Sequence, residues 1–144
     1  MKKVVGILLV WAMVCAAGIA AEPKGKYAIV LHSGNETNEG MSRAAHALLY
    51  AEELAENGYE VALIFDGAGT GWAKVFQSPE YPLHDRYLKI RALGVVEVIC
   101  DYCATDQGVK DQLGEEQLDL LVHEYRGHSS LVKWIDRGYR IIVL

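Results

Sequence analysis

Cysteine is scarce in this chain, with only three among 144 residues. Cys15 lies in the N-terminal apolar run, which leaves Cys100 and Cys103 for the remainder of the protein. A disulfide between positions three apart would close a very small loop, so it would constrain the unfolded chain far less than a long-range bridge. This scarcity argues against a disulfide-stabilised framework and favours a chemical role for the pair.

The sequence also lacks a Lys/Arg-rich run and the common phosphate-binding motifs. The formal net charge is −5, and an acidic protein repels nucleic acid at long range, so we expect no nucleic-acid partner. Neither G-x-x-x-x-G-K-[S/T] nor G-x-G-x-x-G occurs, and Glu36 and Glu39 would repel a phosphate from the loop that holds them. We therefore expect no bound cofactor.

The N-terminus has the three parts of a secretory signal peptide. A basic start, Met1–Lys3, precedes an apolar run over 4–17 and small residues at 18–21. Cleavage after residue 20 or 21 is predicted, which would leave a periplasmic or secreted protein. Loss of Lys2 and Lys3, without loss of any acid, would change the net charge from −5 to −7. The alternative is an uncleaved membrane anchor, for which the apolar run is near the lower length limit.

Residues 22–144 are predicted to form one α/β domain, since strands and helices alternate along them. Half of the residues are apolar, which is enough for a packed core. Strands are predicted over 27–32, 59–65, 95–100 and 139–144, and helices over 41–57, 72–76, 83–93, from 101–103 to about 113, and 131–137, with 118–123 ambiguous. This alternation predicts a mainly parallel sheet covered by helices on both faces. Leu88 and Leu93 are predicted to face the core.

Three polar segments follow predicted strands, at 32–34, 66–67 and 100–103. Ligands and chemistry gather at this edge of a parallel sheet. Cys103 is predicted to be the more exposed thiol and to be partly ionised, because the start of a helix stabilises a thiolate. Asp101 opposes this, since a nearby carboxylate raises a thiol pKa. Cys100 ends a buried strand, and it is either a small core residue or a second functional thiol.

A zinc site is not predicted. C-x-x-C supplies half of such a site, but no second C-x-x-C exists and the five histidines are scattered. His123 and His128 could approach each other, although their spacing does not require it. The glycines at 67, 69 and 71 indicate either close backbone approach to a ligand or a flexible turn. Ser129 or Ser130 is predicted to cap the following helix.

The chain from about residue 27 onward resembles the DsrE/DsrF-like family, which includes sulfur-relay subunits related to TusD and the YchN-like proteins. The resemblance rests on an opening strand with its polar loop, an amphipathic helix and strand, an Asp-Gly turn, the cysteine junction, and a closing helix and strand. These segments are 28–38, 44–65, 66–67, 94–103 and 127–144. The cysteine junction is the most specific of them.

The resemblance implies a flavodoxin-like three-layer sandwich and assembly into homotrimers or homohexamers. In the sulfur-relay members, a cysteine after the third strand carries sulfur as a persulfide, and Cys103 matches that position. The expected function is therefore an exported carrier of sulfane sulfur, with Cys103 as carrier and Cys100 as resolving thiol. Its partners would be sulfur donors and acceptors, either proteins or small compounds.

Two other functions stay open on the same residues. The fold could serve as a binding or assembly module without catalysis, with 67–72 and the strand ends as its contact surface. Alternatively, Cys100 and Cys103 could cycle between dithiol and disulfide as a redox pair.

Overall fold

A computed structural model describes residues 22–144. The predicted signal peptide and its cleavage site lie outside the described residues. The strands are β1 (Lys26–Leu31), β2 (Glu60–Phe65), β3 (Val96–Cys100), β4 (Leu121–Val122) and β5 (Tyr139–Val143). The helices are α1 (Asn38–Glu56), α2 (Trp72–Val75), α3 (His84–Ala92), α4 (Asp101–Asp106), α5 (Glu115–Leu118) and α6 (Leu131–Asp136), with 3₁₀ turns at Gly67–Gly71 and Lys110–Gln112. None of these helices combines the length and apolar character of a membrane span.

The five strands form one parallel sheet in the order β4-β3-β2-β1-β5. The long pairing of β1 with β2 runs from Lys26 opposite Glu60 to Leu31 opposite Phe65. The predicted parallel α/β fold is confirmed, and the ambiguous segment at 118–123 contains both the end of α5 and the short strand β4. In a parallel sheet, the carboxyl ends of neighbouring strands meet at one edge.

Apolar side chains cover both faces of the sheet, because successive residues of a strand point to opposite sides. One face carries Ala28, Val30, Ala62, Ile64 and Val98, and the other carries Ile29, Leu31, Leu63, Phe65 and Ile99. Trp134 of α6 packs on the first face. The second face is covered by the small buried residues of α1 and by α3. The result is a three-layer arrangement of helices, sheet and helix.

Helix α1 begins at Asn38, three residues before its predicted start. The Thr37 hydroxyl accepts a hydrogen bond from the Gly40 backbone N–H at 3.0 Å. That bond satisfies one of the donors left free in the first turn. Part of the polar loop at 33–40 is therefore the capped first turn of this helix.

Helix α4 ends at Asp106, so the prediction of a helix reaching about residue 113 was wrong. Gly108 has φ of 65° and donates to the Thr105 carbonyl, while the Val109 N–H donates to the Ala104 carbonyl. These two bonds and the left-handed glycine form a Schellman motif, which terminates a helix.

The buried face of α3 also differs from the prediction. Tyr87 and Ile90 are buried, whereas Leu88 and Leu93 are 43% and 40% exposed. Tyr87 also receives a hydrogen bond from Gln77 at 2.9 Å. Tyr87, an aromatic ring with a polar end, therefore faces the core, whereas the prediction had placed Leu88 and Leu93 there.

Candidate functional site

Four side chains converge at the carboxyl edge of the sheet. Asp66 follows β2, Cys100 ends β3, Cys103 lies in the first turn of α4, and His128 comes from the loop after β4. One ligand-type atom of each lies within 4.8 Å of the others. We call this group the thiol cluster.

The two sulfur atoms form the centre of the thiol cluster. Cys100 Sγ lies 2.8 Å from Cys103 Sγ, and both thiols are free. His128 Nδ1 lies 3.4 Å from Cys100 Sγ and 3.5 Å from Cys103 Sγ. Cys103 Sγ donates to Asp66 Oδ1 at 3.1 Å. Each thiol therefore has a neighbour that can accept or return a proton.

The start of α4 acts on Cys100 rather than on Cys103. Cys100 is the N-cap residue, and its sulfur accepts the backbone N–H of Cys103 at 3.3 Å. The prediction that the helix start would stabilise a thiolate on Cys103 was therefore wrong about which sulfur receives the N–H.

Burial raises the pKa of the Cys103 thiol well above its ordinary value, and the hydrogen bonds to Cys100 and Asp66 raise that pKa further. Cys103 as a residue is 8% exposed, compared with 0% for Cys100, so both are buried and Cys103 is the less completely buried of the two. The expectation that Cys103 is partly ionised at rest is nevertheless wrong. Its reactivity requires the proton to move to a neighbouring group when a substrate arrives.

The glycine-rich turn after β2 positions Asp66. The Gly69 N–H donates to the carbonyls of Asp66 and His32, and a Cβ at Gly69 would lie 1.9 Å from the Leu31 carbonyl oxygen. Only glycine permits that approach. These glycines were predicted to allow either close backbone approach to a ligand or a flexible turn. At Gly69 the structure has a close backbone approach, but to the end of β1 in the same chain rather than to a ligand.

A tight turn positions His128. Arg126 and Gly127 both have positive φ, 52° and 90°, and the His128 N–H donates to the Tyr125 carbonyl at 2.9 Å. Two consecutive left-handed residues define a type I′ turn. The Gly127 carbonyl accepts the Tyr102 N–H at 3.1 Å, which attaches the turn to the first residues of α4.

Asp101 is next to the cysteines in the sequence, and we expected its carboxylate to raise the pKa of Cys103, but in the structure that carboxylate faces other residues. Its carboxylate pairs with Lys110 Nζ at 2.6 Å and with His123 Nδ1 at 3.3 Å. The hydrogen bond from Lys110 lowers the pKa of Asp101. The carboxylate that contacts a thiol is Asp66 instead, and the histidine that reaches the sulfurs is His128 rather than His123.

Residues 25–144 match the model of the DsrE/DsrF-like family. The chain belongs to this family. That confirms the resemblance at the level of the family.

Two relatives give the extent of the likeness. The chain is 37% identical over 121 residues to the uncharacterized protein MJ0733 of Methanocaldococcus jannaschii, which covers 83% of this chain and 95% of that protein. It also resembles the solved structure of a conserved protein of unknown function, BT1422, from Bacteroides thetaiotaomicron, with a TM-score of 0.54 and 15% identity. That match covers 87% of this chain and 99% of the other, and at this identity it concerns the fold alone.

Sequence reasoning missed Asp66 and His128 as site residues of this DsrE/DsrF-like protein. A signal for Asp66 was present, because it follows a predicted strand and therefore lies at the carboxyl edge of the sheet, where the cysteine strand also ends. For His128 the available signal was weaker. Its preceding Arg-Gly pair is typical of a turn, but β4 has only two residues and left the location of that turn undefined.

Asp66→Asn should increase the reactivity of Cys103. Loss of the negative charge removes one cause of the raised thiol pKa, while burial remains. The alkylation–pH curve should therefore move to lower pH. At about pH 8 the rate should rise roughly three- to fourfold per pKa unit, since a larger thiolate fraction is partly offset by lower intrinsic nucleophilicity. Iodoacetamide labelling, followed by mass spectrometry, measures this rate.

The matched control for that substitution is Asp101→Asn. Asp101 is closer to the cysteines in sequence, but its carboxylate faces Lys110 and His123. This control should leave the Cys103 alkylation curve nearly unchanged. An equal acceleration in both variants would contradict the assignment of Asp66 as the group that contacts the thiol.

Proposed function

We propose that this DsrE/DsrF-like protein carries sulfane sulfur as a persulfide on Cys103. Family membership supports a sulfur-related role in general. The observation that carries the finer proposal is the thiol cluster, in which Cys103 has a carboxylate at 3.1 Å, an imidazole at 3.5 Å and a second thiol at 2.8 Å. A carrier thiol needs a proton acceptor for loading and a route for release, and these neighbours supply both.

Loading begins with transfer of the Cys103 thiol proton to the His128 imidazole, whose Nδ1 lies 3.5 Å from Cys103 Sγ. The resulting thiolate attacks the outer sulfur of a donor R–S–SH, which forms a sulfur–sulfur bond on Cys103 and breaks the one in the donor. The leaving thiolate RS⁻ takes the proton from His128 and departs as RSH. One sulfur atom is transferred, and no external oxidant or reductant is required.

The bound sulfur has two routes of release. An acceptor thiolate that attacks the outer sulfur takes it away and regenerates the Cys103 thiolate. Alternatively, Cys100 attacks the inner sulfur, which expels HS⁻ and leaves a Cys100–Cys103 disulfide. Cys100 Sγ is positioned for this attack, since it lies 2.8 Å from Cys103 Sγ. Cys100 is therefore proposed as the resolving thiol.

A cleft beside the thiol cluster provides space for a small donor. Its volume is about 540 Å³, and Asp66 and Ser129 lie on its wall. The remaining lining is mostly apolar, with Trp134, Ile135 and Val143 among the contributors. A compact and weakly polar sulfur compound suits such a lining better than a highly charged one.

A redox function is the second candidate, and it rests on the short separation of the sulfurs. At 2.8 Å they need to approach by only about 0.8 Å to form a disulfide bond. This function would use the same two thiols without a persulfide intermediate. It differs from the carrier in the product, which is an oxidised pair with no additional sulfur.

Export and self-association are also proposed. The basic and apolar start of the sequence supports export. Exposed apolar side chains on α6 and on the edge strand β5 support contact with further copies of the chain, in a trimer or hexamer. They are Leu131, Val132, Ile135 and Val143, each between 53% and 63% exposed.

The carrier proposal predicts that the purified, reduced protein gains sulfur from inorganic polysulfide. Intact-mass spectrometry should detect one added sulfur atom, and tandem spectrometry should locate it on Cys103. Reduction with dithiothreitol should remove the addition and restore the original mass. If the wild type forms only a Cys100–Cys103 disulfide and Cys100→Ser, which cannot form that disulfide, gains no sulfur, the redox function is favoured instead. Absence of both products from free thiols would refute both functions.

A further inference from the structure

We propose that the thiol cluster is a metal site that binds one Zn²⁺ through Cys100, Cys103, His128 and Asp66. This inference goes beyond the proposed function, because metal binding requires no sulfur transfer. It is carried by the convergence of four ligand atoms of three types on one small volume, all within 4.8 Å of one another.

The ligand set fits a soft divalent cation. Zinc in proteins is bound tetrahedrally by thiolate, imidazole and carboxylate, and two sulfurs with one nitrogen favour zinc over magnesium or calcium. Cys100 and Cys103 supply the sulfurs, His128 supplies Nδ1, and Asp66 supplies one oxygen. Binding would release the two thiol protons to solvent, so the cation is held by two thiolates, one carboxylate and a neutral imidazole.

The two nitrogen–sulfur distances agree with a tetrahedral site. Zn–S bonds of about 2.3 Å and Zn–N bonds of about 2.0 Å separate a sulfur and a nitrogen ligand by about 3.5 Å. The observed separations from His128 Nδ1 are 3.4 Å to Cys100 Sγ and 3.5 Å to Cys103 Sγ. Cys103 Sγ and Asp66 Oδ1 are 3.1 Å apart. The two sulfurs, at 2.8 Å, must move apart by about 1 Å to reach tetrahedral spacing.

Contacts with residues outside the cluster hold the ligands in position. The His128 ring lies against the Tyr102 ring, with centroids 4.5 Å apart, and its backbone closes the type I′ turn. Asp66 is held by the Gly69 N–H, and the cysteines belong to a strand end and a helix start. Ligands on such well-fixed elements require little reordering when a metal binds.

Metal binding and sulfur loading would exclude each other, since both use the Cys103 thiolate. Zinc would protect the thiols from oxidation and from sulfur donors. A donor could load Cys103 only after the metal had left. The site would therefore have a resting form with metal and a reactive form without it.

Cobalt binding tests the site, since Co²⁺ replaces Zn²⁺ and absorbs light. The reduced full-length protein should take up one Co²⁺ with thiolate-to-cobalt absorption in the near ultraviolet and intense tetrahedral bands in the visible. Zn²⁺ should abolish both. His128→Ala should weaken zinc binding by more than about 100-fold, because even the loss of a residue that only supports a ligand typically costs roughly 10- to 100-fold.

His123→Ala is the matched control, since that ring faces Asp101, and its zinc affinity should equal that of the wild type. Circular dichroism verifies that both variants are folded. If His128→Ala does not fold, zinc affinity is compared between two other single variants, with Asp66→Asn as the ligand variant and Asp101→Asn as its control. Absence of the cobalt bands, or equal zinc affinity in a folded variant and its control, overturns the metal site.

Sulfur loading is measured separately on protein treated with a chelator, so the two proposals fail independently. Loss of cobalt bands with intact loading overturns the metal site alone. Intact cobalt bands without any sulfur adduct overturn the carrier alone.

Discussion

Replacing Cys103 with serine should abolish uptake of sulfane sulfur at the thiol cluster, while replacing Cys100 with serine should prolong the life of the adduct. In Cys103→Ser the more accessible sulfur is missing, and the remaining thiol is fully buried. In Cys100→Ser the thiol 2.8 Å from Cys103 is absent, so no neighbouring thiolate can attack the inner sulfur and expel the outer sulfur as sulfide. Time-resolved intact-mass spectrometry after removal of polysulfide measures both effects.

The expected differences are large because they concern the presence or absence of a reacting atom. Adduct yield at the cluster should fall to background in Cys103→Ser, whereas sulfide release should be at least about tenfold slower in Cys100→Ser. Serine is close to cysteine in size, so both variants should fold. A Cys103→Ser protein that loads Cys100 as fast as the wild type loads Cys103 would assign the carrier role to the wrong thiol.

Trp72→Ala should produce the largest loss of stability among substitutions outside the thiol cluster. Trp72 is fully buried, stacks on Phe76 with ring centroids 5.3 Å apart, and donates from Nε1 to the Ser33 carbonyl at 2.8 Å. Truncation of such a ring typically costs about 3–5 kcal/mol. That is a large part of the roughly 5–15 kcal/mol by which domains are stable. Urea unfolding followed by circular dichroism measures the change.

Two further variants divide that loss into its causes. Trp72→Phe keeps an aromatic ring but leaves the Ser33 carbonyl without its donor, so it should lose less than Trp72→Ala, on the order of 1–3 kcal/mol. Leu88→Ala truncates a large apolar side chain that is 43% exposed, and it should cost less than about 1 kcal/mol. Equal losses in Leu88→Ala and Trp72→Ala would contradict this account of the core.

The cysteine junction illustrates how far local sequence reasoning extends. The β-forming run before Cys100 and the polar residues after it correctly predicted a strand that leads into a helix. The same reasoning predicted the greater exposure of Cys103. It could not identify the partner of each sulfur, because the Cys103 N–H bonds to Cys100 Sγ, and the carboxylate that contacts Cys103 is 37 positions away.

Helix ends and helix faces also differ in whether the local sequence is enough to predict them. The cap of α6 was predicted at Ser129 or Ser130 from residue type, and the Ser130 hydroxyl is the one that accepts the Lys133 N–H, at 3.3 Å. The end of α4 depended on how Gly108 and Val109 bond back to the preceding turn. The buried face of α3 depended on how Tyr87 packs against residues from other elements of the core. The hydropathy pattern of the nine residues of α3 carries no information about those residues.

The sequence by itself determined the parallel α/β architecture, the family and the two thiols, because these follow from periodicity and local motifs that act over a few residues. Only the tertiary structure decided that Asp66 and His128 join those thiols while Asp101 and His123 pair with each other. The physical reason is that parallel strands bring distant strand ends to one edge of the sheet. Side-chain direction at that edge is then set by turns and hydrogen bonds between segments far apart in the chain.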